Sequence, residues 1–187
     1  MRVLIVNTTE RTGGAAIAAS RLAHALRQEG AEVEMLTRKS QWPFYWERFR
    51  IFLANRSKHN LWQVDIANCG EDITKTQAFQ EADVIHLHWI NQGFLSLRNL
   101  EKVFNSGKRI VWTLHDQWPY TGICHYAEAC DRFQTHCHDC PLLTCPSAKD
   151  LSYKVFERKR HIWQNANITF VGCSQWIADE ARKSALT

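Results

Sequence analysis

The sequence predicts an α/β fold in which a parallel sheet carries helices on both faces. Short, almost wholly apolar runs recur along the chain, helical segments lie between them, and polar or glycine-bearing turns follow them. Apolar runs of this length are typical of strands that are buried on both faces, as in parallel sheets. Strands that alternate with helices favour the doubly wound arrangement.

The amino-terminal part of the chain predicts a strand–helix–strand unit. Residues 2–7 form an apolar run, and the polar loop over 8–14 ends in a glycine pair. Residues 15–28 carry apolar side chains at helical spacing and are followed by Gly30, a residue that often ends helices. Residues 33–37 alternate like a strand. We expect a right-handed crossover between the two strands.

The rest of the chain continues to alternate between predicted strands and predicted helices. Apolar runs predict three further strands, at 83–89, 108–114 and 168–173. Helical spacing predicts helices over 95–105 and 149–165, and Ser174 is a typical N-cap residue for a last helix. Ligands of doubly wound sheets bind at the carboxyl ends of the strands. We therefore expect the functional residues within four segments, 8–14, 88–93, 115–122 and 173–176.

Composition places the chain among ordinary globular domains. Its 187 residues, 45% hydrophobic and 22% charged, are enough for one α/β domain with a sizeable core. No apolar run approaches the roughly 20 residues that span a bilayer, and no secretory signal pattern is visible, which predicts a cytoplasmic location. A net charge of +4 suits phosphates or anionic lipid, and predicts no nucleic-acid partner.

The segment 42–62 differs from the other helical segments. Aromatic side chains recur there at helical spacing and alternate with arginine and lysine. The sequence therefore predicts an amphipathic helix. Its apolar stripe would most commonly pack on the domain, with the aromatic rings in the core or against a partner surface. Peripheral contact with an anionic membrane is the alternative.

Several candidate site residues follow the predicted strands. Gly13 and Gly14 could let an anion approach a helix amino terminus, or could simply form a tight turn. His88 lies at a strand end, on the same face as His86, although no carboxylate cluster completes a metal site with this pair. His115 directly follows the next strand, where a histidine can donate a hydrogen bond to a ligand or cap the loop.

A cysteine-rich stretch interrupts the alternation of strands and helices. Residues 118–146 lack periodicity and contain the pattern C-x5-C-x6-C-x2-C, formed by Cys124, Cys130, Cys137 and Cys140. Four thiolates can close a tetrahedral structural zinc site. The first spacing is wider than usual, and His125, His136, His138 and Cys145 offer alternative ligands. Free or disulfide-linked cysteines and an iron–sulfur cluster remain open at this point.

Four segments, taken in their order along the chain, together resemble one protein family. They are RVLIVNTTERTGGAAIAASRLAHAL, ADVIHLHWINQGFLSL, VWTLHDQWPYTGICHY and ITFVGCSQWIADEARKSAL. They resemble the amino-terminal half of family 4 glycosyltransferases that assemble bacterial polysaccharides. The resemblance implies a GT-B enzyme in which two Rossmann-like domains face a cleft. The first domain holds the acceptor, the second holds a UDP- or GDP-sugar, and transfer retains the anomeric configuration without a catalytic metal or other cofactor.

The resemblance also implies roles for individual residues. His115 is the expected catalytic residue, in contact with the donor sugar. Gly13, Gly14 and Ser174 are expected near the donor. The expected acceptor residues are His88, Asp116 and Trp118.

The resemblance further implies how the chain is organised. Residues 1–187 correspond to the acceptor-side domain, and the family's paired glutamates belong to a donor-binding domain expected beyond Thr187. The chain alone is then expected not to turn over. The expected partners are a nucleotide-sugar and a saccharide or lipid-linked acceptor, at the inner face of the membrane. A zinc-stabilised binding or scaffold module without catalysis is the alternative function.

Overall fold

A five-stranded, wholly parallel sheet forms the centre of the computed structural model, which describes residues 1–187. The strands are β1 (Arg2–Val6), β2 (Glu32–Leu36), β3 (Val84–Leu87), β4 (Arg109–Leu114) and β5 (Ile168–Gly172), in the order β2-β1-β3-β4-β5. The helices are α1 (Gly14–Gln28), α2 (Trp42–Asn55), α3 (Gln77–Glu81), α4 (Leu97–Phe104), α5 (Leu151–Trp163) and α6 (Gln175–Arg182). The predicted doubly wound α/β fold is confirmed.

The sheet has a large core on one face and a small one on the other. Alternate residues of β1 point to opposite faces, so Leu4 joins a cluster of 36 buried apolar residues while Ile5 joins a cluster of four. In the small cluster the buried residues of α1 are Ala19 and Ala23, and the partly buried Leu22 and Leu26 of the same helix pack against it. No helix of the fold is long and apolar enough to cross a membrane.

Helix α2 contradicts the expectation that its aromatic side chains fill the core. Its buried positions are polar except for Ile51, and they include Glu47, Arg48 and Asn55. Its large apolar side chains are exposed, namely Trp42, Tyr45, Trp46, Phe49, Phe52 and Leu53. Helical spacing predicted the helix correctly but gave the wrong buried side, because the polar side finds its partners in the loop that follows the helix. The helix also ends at Asn55, earlier than the predicted 62.

The amino-terminal end of α2 packs tightly on the loop that follows β3. Gly93 lies in that loop with φ +73°, and a Cβ on it would stand 2.4 Å from the backbone nitrogen of Phe44. Only glycine tolerates both this backbone conformation and this approach. The loop and the helix are therefore fixed against each other beside the carboxyl edge of the sheet.

The cysteine-rich stretch is irregular, as predicted, yet it is tied firmly to the domain. Its only helical turns are short 3-10 segments, Trp118–Tyr120 and Arg132–Gln134. The fully buried Lys159 of α5 donates to the carbonyl oxygens of Trp118 (2.5 Å) and Thr121 (3.1 Å). Buried side chains thus replace regular secondary structure as the support of this stretch.

Candidate functional site

A cavity of about 610 Å³ opens at the carboxyl edge of the sheet. Its wall combines the loop after β1, the residues after β3 and β4, the loop after α2 and the start of the cysteine-rich stretch. The lining residues are Asn7, Thr9, Thr12, Gly13, Gly14, Ala15, Trp62, Gln63, Trp89, His115, Asp116, His125, Tyr126 and Glu128. Three of the four segments in which the sequence predicted functional residues contribute to the cavity, and the fourth, 173–176, does not.

The glycine loop presents an uncapped helix amino terminus to this cavity. Gly13 precedes α1 with φ +93°, no side chain caps the helix, and its first turn contains no acidic residue. The first intrahelical bond runs from the amide of Ile17 to the carbonyl of Gly13. The preceding amides have no partner within the helix, and no atom lies within 4 Å of a Cβ built on Gly13 or Gly14. Such an open terminus can bind an anion.

Three histidines form a stack behind the cavity. His88 Nδ1 lies 2.9 Å from His115 Nε2, and His86 Nε2 lies 2.8 Å from Thr113 Oγ1. Burial lowers the pKa of His86 to about 4, that of His88 to about 3, and also that of His115. The stack is therefore neutral at pH 7. Only His115 lines the cavity, while His88 is 3% exposed and orients the His115 ring.

Asp116 forms part of the cavity floor with both carboxylate oxygens engaged. Its Oδ2 accepts from the indole of Trp89 and from His125 Nδ1, both at 2.7 Å, and its Oδ1 accepts from the backbone of Trp118 at 3.0 Å. The carboxylate therefore orders its protein neighbours. This geometry favours a role for Asp116 in positioning its neighbours over the predicted direct contact with an acceptor.

A buried chain of charges continues behind Asp116, and the sequence did not predict it. His125 Nε2 lies 2.9 Å from Asp65 Oδ2, and the other oxygen of Asp65 pairs with Arg48. Burial disfavours a charged His125, but the hydrogen bonds with Asp116 and Asp65 outweigh it and raise the pKa of His125 to about 10. The cavity floor thus contains a fixed imidazolium. The sequence signal that could have indicated this chain of charges is Asp65, the one acidic residue in the apolar run VDIA over residues 64–67.

Two exposed aromatic side chains form the rim. Trp62 is 62% exposed and Tyr126 is 58% exposed. Their two segments pair at an isolated antiparallel bridge between Val64 and Cys124, and the amide of His125 donates to the carbonyl of Gln63 at 3.0 Å. The rim is therefore built on an ordered contact between the loop after α2 and the cysteine-rich stretch.

Three predicted site residues do not line the cavity: His88, which lies behind His115 and so does not fit the predicted acceptor contact, Trp118 and Ser174. Trp118 is fully buried, donates its indole N–H to the carbonyl of Asp65 at 2.8 Å, and has the ammonium of Lys159 3.4 Å from its ring centroid. It is a core residue, so the prediction that Trp118 contacts an acceptor is wrong. Ser174 caps α6 by accepting from the amide of Ile177 at 3.3 Å, and it does not line the cavity.

All seven cysteines are free thiols in the structure. Burial raises the pKa of Cys137 to about 12 and that of Cys140 to about 11, while Cys124 and Cys130 are partly buried. No three His, Cys, Asp or Glu side chains form a group that could hold a metal ion. The structural zinc site at these four cysteines stays a prediction from their spacing, open to elemental analysis of the purified chain.

A comparison with models of protein families shows which family the chain is related to. The model of the family described as Glycosyltransferase Family 4 matches residues 12–184. The chain belongs to Glycosyltransferase Family 4. The matched region contains the glycine loop, the histidine stack and the cysteine-rich stretch, and the predicted family is confirmed.

One curated relative of this family 4 domain, from Escherichia coli (strain K12), bears the name "Putative colanic acid biosynthesis glycosyl transferase WcaC". The two are 33% identical over 107 residues, an alignment that covers 51% of this chain and 26% of WcaC. The chain thus spans about a quarter of the length of the relative that it matches. No solved structure gives a significant match.

The buried histidine stack predicts a specific acid sensitivity. The pKa of folded His88 is about 3 and that of an unfolded histidine is about 6.5. Between these values the unfolded chain binds more protons, so the stability that neutral His88 contributes is full above pH 6.5 and is lost as the pH falls towards 3. We expect the free energy of unfolding of His88→Leu to fall less steeply than that of the wild type below pH 6.5. Urea unfolding across this range measures both slopes, and parallel slopes would contradict a neutral buried His88.

Proposed function

We propose that this family 4 domain takes part in the transfer of a sugar from a nucleotide-sugar donor to a saccharide or lipid-linked acceptor in bacterial polysaccharide assembly. One observation carries the proposal. A single cavity joins an uncapped helix amino terminus, a neutral histidine and an exposed aromatic rim. Membership of the family and the name of the relative WcaC support sugar transfer as the chemistry of this cavity.

The glycine loop supplies the site for the donor's diphosphate. The free amides of the first turn of α1 point towards a space that no side chain fills at Gly13 and Gly14. Backbone amides and the helix dipole together favour negative charge at such a terminus. The diphosphate becomes the leaving group when the bond between it and the sugar breaks. Its growing negative charge then strengthens the same interactions, which stabilise the transition state.

His115 positions and polarises the donor sugar. Its Nε2 is engaged with His88, and the rest of the ring faces the cavity. Because burial lowers its pKa, the neutral ring can offer a hydrogen bond without adding a charge that titrates near pH 7. His88 acts through His115 by fixing the orientation of that ring. We assign His115 the catalytic contact and His88 the positioning role.

The acceptor saccharide lies against the aromatic rim in this proposal. Trp62 and Tyr126 offer flat apolar faces, and the neighbouring Gln63 and Glu128 offer polar atoms for hydroxyl groups. Binding sites of this kind combine aromatic surface with a few well-placed polar groups. A hydroxyl of the acceptor forms the new glycosidic bond, and its proton leaves with the nucleoside diphosphate.

Three finer features follow the family resemblance and are proposals of the same kind. The transfer retains the anomeric configuration, it needs no catalytic metal, and a second domain makes most of the contacts with the UDP- or GDP-sugar. A zinc ion at Cys124, Cys130, Cys137 and Cys140 would stiffen the stretch that carries Tyr126. Such an ion would be structural, since four thiolates leave it no open position.

Charge placed in the first turn of α1 tests the diphosphate site. We expect Gly14→Asp to weaken binding of uridine or guanosine diphosphate by about tenfold, because a carboxylate there repels the anion at the helix amino terminus. Gly14→Ala is the matched control, since a Cβ at this position meets no atom within 4 Å. NMR titration of the α1 amides measures both affinities. Equal affinities for the two variants, or no response of these amides, would refute the site.

Removal of the imidazole tests the role of His115. In the intact enzyme that contains this domain, we expect His115→Ala to lower kcat by about 100-fold, the usual loss when a positioned polar catalyst is removed. The exposed His24 on α1 provides the control, and His24→Ala should leave kcat unchanged. Near-normal turnover of His115→Ala would exclude the catalytic assignment while leaving the diphosphate site to be judged separately.

A further inference from the structure

Helix α2 presents a large apolar surface to solvent. Trp42 is 75% exposed, Phe49 is 48% exposed and Trp46 is 45% exposed. Tyr45, Phe52 and Leu53 of the same helix are also exposed, and we call these six residues the aromatic face. Single exposed apolar side chains are common, but a contiguous group of this kind marks an interaction surface.

The aromatic face is not the result of a loosely docked helix, because the opposite side of α2 is locked. Buried Arg48 donates to the carbonyls of Leu61 (2.5 Å) and Val64 (2.9 Å). The carboxylate of Glu47 accepts from the amides of Ile66 (3.0 Å) and Ala67 (2.5 Å). A rotation that buried the aromatic rings would strip these groups of partners and leave a charge buried alone, at a cost of several kcal/mol.

Asn55 fixes the carboxyl end of α2 in the same orientation. Its Oδ1 accepts from the amide of Thr144 at 2.5 Å, and its Nδ2 donates to the carbonyl of His59 at 3.2 Å. Both ends of the buried side therefore have specific partners. The fold holds the aromatic face outward.

The exposed charges of the segment that carries the aromatic face are all positive. The exposed charged residues between positions 39 and 63 are Lys39, Arg50, Arg56 and Lys58. The single acidic residue of this segment, Glu47, is fully buried. Aromatic rings beside exposed arginine and lysine match the two layers of an anionic bilayer surface, its acyl boundary and its negative headgroups.

The aromatic face adjoins the cavity. The ring of Phe44 contacts Tyr45 of the aromatic face, with centroids 5.2 Å apart, and stacks on Trp62, with centroids 5.7 Å apart. Trp62 also lines the cavity. We propose that the aromatic face docks on the surface of an anionic lipid bilayer and places the mouth of the cavity beside it. An acceptor carried by a lipid would then reach the rim without leaving the bilayer, a consequence that rests on the function proposed above.

Vesicle co-sedimentation of the chain tests the docking. We expect binding to vesicles that contain phosphatidylglycerol, weaker binding to pure phosphatidylcholine vesicles, and a loss of binding at high salt. Trp46→Ser combined with Phe49→Ser should weaken binding by at least about tenfold, since it removes two of the inserting rings. Trp176→Ser is the matched control, because Trp176 is a 57% exposed tryptophan on α6, and it should bind like the wild type.

Three results would overturn the docking proposal. They are absence of vesicle binding, equal binding by the double variant, and self-association of the chain through the aromatic face, which sedimentation equilibrium detects as a monomer–dimer shift lost in the double variant. Urea unfolding of each variant checks that the fold is intact. Vesicle binding without nucleoside diphosphate binding would support the docking and count against the proposed function, and the reverse result would do the opposite.

Discussion

The ion pair between Arg48 and Asp65 is the interaction on which the functional edge of the fold depends. Both groups are buried, and Asp65 also binds His125. Loss of one partner from such a pair leaves an uncompensated charge in the interior and costs about 3 to 5 kcal/mol. Asp65 therefore joins α2, the loop after it and the cysteine-rich stretch into one unit.

The cavity contains two histidines of opposite character, of which the unit supplies His125. His115 is neutral because burial lowers its pKa, whereas His125 is charged because two carboxylates raise its pKa to about 10. The neutral ring can hydrogen-bond a sugar, and the charged ring holds the Asp116 carboxylate in place through a hydrogen bond of 2.7 Å. A preorganised floor of this kind does not need to rearrange when charge develops during a reaction.

The same unit explains why α2 has a polar buried side. Arg48 and Glu47 are held by Asp65 and by the backbone that surrounds it, so the aromatic residues are left outside. The polar interior of the unit and the exposed aromatic face are thus two results of one arrangement. The cavity and the proposed membrane surface meet at Trp62 for this reason.

Local patterns predicted much of the fold and little of the cavity floor. The strands were predictable because an apolar run such as residues 2–7 can be recognised without knowing which residues pack against it. Ser174 was recognisable as an N-cap for the same reason. Periodicity gives the spacing of a stripe but not the side that is buried, so α2 was oriented wrongly.

Pairings between distant residues could not be read from local patterns. His125 meets Asp65 across 60 residues of sequence, and no local signal announces that contact. Trp118 follows the end of β4 by only a few residues, yet it is buried against the amino group of Lys159, which is 41 residues away in the sequence.

Amide hydrogen exchange of Asp65→Asn, compared with Glu32→Gln at an exposed ion pair, tests the central claim most directly. If Asp65 joins these segments, protection should fall together in α2, in residues 61–67 and in residues 116–125, while the amides of β1, β3 and β4 remain protected. Glu32→Gln should leave all of these segments unchanged. A loss confined to one segment, or the same pattern in both variants, would contradict the claim that one buried carboxylate organises the cavity and α2.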